Sequence, residues 1–132
     1  MLRIRVFLIK DEYDTYGYLK YSYDLDKFYI KFFDDVFRYG HTPAMVGLYV
    51  KTGRQEVKGE EARYWVQCRL IPPNRQNIAD ILAANGLVNY SEIELLAIPK
   101  GRCDRDTIWL DEVKPEYLKE IGILDDVEGY WG

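Results

Sequence analysis

Apolar and charged residues alternate at the start of the chain. Leu2, Ile4, Val6 and Leu8 fall on one side of an extended segment, with Arg3 and Arg5 on the other. A period of two residues is the mark of a half-buried β-strand, and a strand must find partners. A sheet is therefore predicted from residues 2–9 onward. The 132 residues suit one domain, taken as 1–132, and the 48% hydrophobic and 30% charged composition excludes wholesale disorder, low-complexity chains and a disulfide scaffold.

After a polar turn at residues 11–17, Tyr18 to Tyr23 fits either a short strand or an ordered loop. From Leu25 onward, Phe28, Tyr29, Phe32, Phe33, Val36 and Phe37 recur at three- and four-residue steps, which predicts a helix over 25–39 capped by Asp24 and closed at Gly40. Residues 44–51 and 62–71 read as strands pairing across a charged loop, and 107–113 as a late strand. Pro72-Pro73 and Asn74 precede a helix over 75–85 that Gly86 ends. Ser91-Glu92-Ile93-Glu94 has the pattern of a capping box before a short helix, although Ile93, Leu95 and Ala97 also alternate like a strand, and Pro115 opens another short helix. The expected fold is α+β, with a small, mostly antiparallel sheet packed against two main helices, 25–39 and 75–85.

The net charge of −4 is unevenly spread: residues 1–10 and 51–75 are each +3, whereas residues 91–132 are −6. A duplex binder usually shows a basic excess, because phosphate neutralisation supplies much of its affinity. This chain has none, so nucleic acid is not expected as the main partner. There is no apolar run long enough to span a membrane and no secretory leader pattern, so a cytoplasmic location is expected. Cys68 and Cys103 are then expected as reduced thiols. With His41 the only histidine and no C-x-x-C pair, neither a metal nor a cofactor is expected. Phosphate-cradling, nucleophile-elbow and metalloprotease patterns are also missing.

Aromatic residues make up 15% of the chain, and 13 of the 20 precede residue 50. Tyrosine and tryptophan serve interfaces well because they carry large rigid contact area with a polar tip. The expected function is a non-catalytic protein-interaction domain, with Tyr16, Tyr18, Tyr21, Tyr23 and Trp131 as anchors and Asp125, Asp126 and Glu128 steering a basic partner. One form of this is a small acidic inhibitor or regulator of a nucleic-acid-handling protein, with carboxylates occupying phosphate positions. An alternative is a thiol-dependent enzyme in which Cys103, set among cations in sequence, is activated by His41 and oriented by Asp104. A further alternative is weak single-strand binding by stacking on the tyrosine cluster; against it, Tyr16 and Leu19 depart from the RNA-recognition strand pattern, and five acids flank the rings. The helix–turn–helix outline at 75–97 presents Glu92 and Glu94 where a reading helix needs donors, and the D-x-D at Asp104 and Asp106 lacks a preceding buried strand.

Overall fold

A computed structural model describes residues 3–39, 42–103, 106–120 and 122. Five strands form one sheet: β1 (Ile4–Lys10), β2 (Thr15–Ser22), β3 (Lys27–Phe32), β4 (Glu56–Lys58) and β5 (Trp109–Val113). Their order is β4-β3-β2-β1-β5, and every neighbouring pair is antiparallel. Four helices accompany them: α1 (Ala44–Val50), α2 (Gly59–Gln67), α3 (Ile78–Ala84) and α4 (Glu92–Ala97). The α+β class and the antiparallel sheet are as expected, and β1, β5 and the capped α4 lie where the sequence predicts them. Ser91 Oγ accepts from the Glu94 N–H at 3.4 Å.

Four elements differ from expectation. Residues 25–39 are not one helix: they form a turn, strand β3 and a single 3-10 turn at Asp34–Arg38. A step of four residues belongs to both periods, so Phe28 and Phe32 share a strand face as readily as a helix face. Ile30, which the helical stripe leaves out, lies between them and is fully buried. Tyr29 points to the opposite face, where it joins Val6, Tyr18 and Leu118. A strand covered on both sides reads as a nearly continuous apolar run, and that run imitates a broad helical stripe.

Residues 44–51 and 62–71 are not strands: 44–50 form α1 and 62–67 the later part of α2, with a turn beyond it. In α2 the inward positions are Ala62, Trp65 and Val66, with Arg69 continuing the same three- and four-residue spacing beyond its end. Trp65 donates its indole N–H to the Met45 carbonyl at 3.0 Å, which ties α2 to α1. The helix predicted at 75–85 is the shorter α3, ended by Gly86 at φ 73°, and only Leu82 of it is buried. It is peripheral, so it is not a main support of the sheet.

The larger core lies between the sheet and α1, α2 and α4. Phe7, Ile9, Leu19, Phe28, Ile30, Phe32 and Val57 meet Val46, Tyr49, Trp65, Val66, Ile93 and Leu96 there. Where β1 and β2 pair, the register shifts between Ile9 and Lys10, leaving Tyr16 as the extra residue. Its ring enters this core, and its hydroxyl donates to Asp11 Oδ2 at 2.8 Å. Asp11 also accepts from the Tyr13 and Asp14 N–H groups and so holds the β1–β2 turn.

Arginines hold distant segments together in one recurring way, each resting on a ring while bonding a carboxylate. Arg5 lies over Phe7 and pairs with Glu112, Arg54 over Tyr49 with Glu61, Arg63 over Phe28 with Glu92, and Arg69 over Trp65 with Asp106. A guanidinium is planar and weakly hydrated, so both contacts are open to it at once.

Candidate functional site

The described residues enclose a cleft of about 590 Å³. Three stretches far apart in sequence, 21–26, 63–73 and 90–93, build it. Tyr21 comes from the end of β2 and Asp26 from the β2–β3 turn. Arg63 and Gln67 come from α2, Pro72 and Pro73 from the loop beyond it, and Tyr90 to Ile93 from the start of α4. The volume falls within the range of natural ligand clefts, roughly 300–1,000 Å³.

Each wall has a local cause. In the β2–β3 turn, the Leu25 N–H donates to Ser22 Oγ at 3.1 Å, and Asp26 adopts φ 50°, a left-handed conformation that aspartate tolerates better than most residues. That conformation sets the Asp26 carboxylate against Tyr21, whose hydroxyl donates to Oδ1 at 2.7 Å, and against Arg63 at 3.3 Å. Arg63 also donates to the Asp26 carbonyl at 2.6 Å and to Glu92 Oε1. Across the cleft, the Tyr90 hydroxyl donates to the Ile71 carbonyl at 2.7 Å and pins the proline loop to the start of α4.

Asp26, Glu92 and Arg63 leave the lining with one net negative charge, in a cleft that Tyr21, Tyr90, Pro72 and Pro73 also line. The second oxygen of Glu92, Oε2, is buried and has no hydrogen-bond partner among the described residues. The Tyr21 hydroxyl and the Arg63 charge hold the Asp26 carboxyl below its ordinary range. Burial, and then the bond to Asp26, push the Tyr21 phenol up to about 12.

A phenol raised in the folded state stabilises the fold fully below its free value of about 10, and that stability is lost as pH rises toward the folded value. Urea unfolding of the wild type and Tyr21→Phe from about pH 8 upward is expected to show a stability difference that shrinks between about pH 10 and 12. A constant difference would show that Tyr21 ionises alike in both states. Tyr16, raised by burial and by Asp11, adds to the alkaline loss in both proteins equally.

The tyrosines expected as exposed anchors are mostly interior. Tyr16, Tyr18 and Tyr21 have exposures of 0%, 1% and 8%. Tyr23 is half-buried and donates to Glu94 Oε1 at 3.0 Å. Pleating sends alternate residues of β2 to the two covered faces, so composition alone misplaced these rings. The rings of Tyr16 and Tyr18 offer neither hot-spot area nor a stacking platform, and the exposed large aromatics among the described residues are instead Tyr13, Phe37, Tyr64 and Tyr117. Of the cleft residues, only Tyr21 was named from sequence as a candidate. Asp26, Arg63 and Glu92 carry no shared local pattern that could have united them.

Trp131, Asp125, Asp126 and Glu128, and His41 and Asp104 of the thiol arrangement, lie outside the described residues. Cys103 is half-buried with its Sγ 4.0 Å from Asp106 Oδ1. That carboxylate is already engaged by Arg69 and by the Ile108 N–H, so its evident work is structural. Among the described residues, no three His, Cys, Asp or Glu side chains are grouped to hold a metal ion, and no helix is long and apolar enough to cross a membrane. No family model, curated protein or solved structure matches the chain.

Proposed function

We propose that this is a non-catalytic protein-interaction domain that receives a basic segment of a partner protein in the cleft between α2, the Pro72-Pro73 loop and the start of α4. The observation that carries the reading is the lining itself: two carboxylates on one guanidinium, beside ring surfaces, in a cleft of about 590 Å³. A cationic side chain entering it gains a net negative field close to low-dielectric walls, where charge is screened less than on open surface. The overall charge of −4 favours approach by a basic surface. Proteins that handle nucleic acid carry such surfaces, so a small acidic regulator of one of them is the form we favour. Both cysteines are free thiols, and a reducing, cytoplasmic setting is part of the same proposal.

The test is a titration of the isotope-labelled protein with an unstructured peptide of mixed lysine and arginine, beside an acidic peptide of equal length. The basic peptide is expected to shift the amide signals of Tyr21, Asp26, Arg63 and Glu92. The paired substitution Asp26→Asn with Glu92→Gln is expected to weaken binding about tenfold or more, and salt should weaken it steeply. Silence at low salt, or shifts confined to another surface, would remove the proposal.

A further inference from the structure

We infer that the cleft selects arginine over lysine in its partner; this rests on the basic-segment reading and adds the identity of the side chain. Three observations lead to it. First, the lining includes ring-bearing residues: Pro72, Pro73 and Tyr90 line the space with Tyr21. An ammonium ion is compact and strongly hydrated, and it loses much of its water against such walls. A guanidinium gives up less hydration and stacks on flat surfaces.

Second, the acceptors are divided. The Asp26 carboxylate stands at the mouth with its side chain 71% exposed, while Glu92 is deeper at 20%. Arg63 occupies Glu92 Oε1 and leaves Oε2 without a donor. A buried carboxylate oxygen lacking a donor is costly, and a ligand N–H that reaches it removes that cost. Oε2 is buried, so a ligand N–H reaches it by a turn of the carboxylate about its last torsion, which is broad in glutamate. A guanidinium offers five N–H groups in a rigid fork and can address two acceptors at once, as a single ammonium nitrogen does less well.

Third, the molecule already uses this chemistry on itself. Arg5, Arg54, Arg63 and Arg69 each join a ring and a carboxylate, with Lys20 over Tyr29 as a lysine that also meets a ring and Lys10 pairing with Asp111 at 2.9 Å. The cleft presents the same two ingredients to a visitor.

The experiment uses the intact chain and three peptides of one Gly/Ser-rich sequence whose single central residue is arginine, lysine or citrulline, the last being nearly isosteric with arginine but uncharged. Binding is read by calorimetry and by amide shifts at low salt. Arginine is expected to bind about five- to tenfold more tightly than lysine, and citrulline not measurably. Glu92→Gln should bring the arginine peptide to the level of the lysine peptide; Asp26→Asn, which keeps a residue suited to the left-handed turn, should weaken both peptides alike. Equal affinity for lysine and arginine overturns the selectivity while leaving a basic-segment site in place. Binding of none of the three overturns both.

Discussion

Replacing Arg69 by methionine is expected to destabilise the domain by about 3–5 kcal/mol, the range seen when one member of a buried ion pair is removed. Arg69 is 1% exposed and uses its whole guanidinium. Nε donates to the Gly101 carbonyl at 2.7 Å, one terminal nitrogen to Asp106 at 2.8 Å, and the other to Asp106 and the Ile108 carbonyl at 2.9 Å each. Methionine fills much of the volume over Trp65 but leaves Asp106, 11% exposed, facing two carbonyls with no cation between them. Arg69→Lys should fare little better, because one ammonium cannot serve three acceptors set on different segments. Urea unfolding of Arg69→Met, Asp106→Leu and the double variant would measure this. The double variant is expected to lose less than the sum of the single changes, since it removes the stranded charge. Strict additivity would show that the two side chains act independently and that the clamp is not a unit.

The second large effect is expected at Gly17. It sits in β2 opposite Phe32, so close to β3 that an added Cβ would lie 2.2 Å from the Lys31 carbonyl oxygen and 2.8 Å from the Phe32 Cα. Both are backbone atoms, so no side-chain rotation can relieve the contact. The strands must separate there, and ladder hydrogen bonds beside a buried ring would lengthen. Gly17→Ala is expected to lose about 3 kcal/mol or more, at or beyond the upper end of ordinary overpacking. A shift in the urea midpoint worth less than about 1 kcal/mol would mean that β2 can move away from β3 with little resistance.

The sequence was most legible where a charged or capping residue marks an element. In β1, Arg5 breaks the apolar run even though both faces are covered, Val6 entering one core and Phe7 and Ile9 the other, and α4 announces itself through Ser91, whose hydroxyl accepts from the Glu94 N–H at the helix start. Legibility failed where apolar residues of the two faces run on without such a mark. In β3, Phe28, Ile30 and Phe32 belong to one core and Tyr29 to the other, so its period of two is hidden by apolar residues on either side. In α2, the branched and aromatic residues Tyr64, Trp65 and Val66 suggested a strand, yet tertiary packing of Ala62, Trp65, Val66 and Arg69 overrides that propensity. The cleft was illegible for a different reason. Its charges come from a turn, a helix and a helix start that meet only after the chain has folded, and no spacing within one segment encodes their meeting.

The position of β1 between β2 and β5 has a consequence for the emerging chain. Residues 4–58 contain four of the five strands, but the outer edge of β1 stays bare until residues 109–113 leave the ribosome and Val113 settles beside Val6. Such an edge invites pairing with a neighbouring polypeptide. Arg5 and Lys10, near the two ends of β1, place like charges along that edge during the wait. Once β5 arrives, Glu112 and Asp111 neutralise them, so the same two cations that guard the unfinished sheet later fasten its last strand.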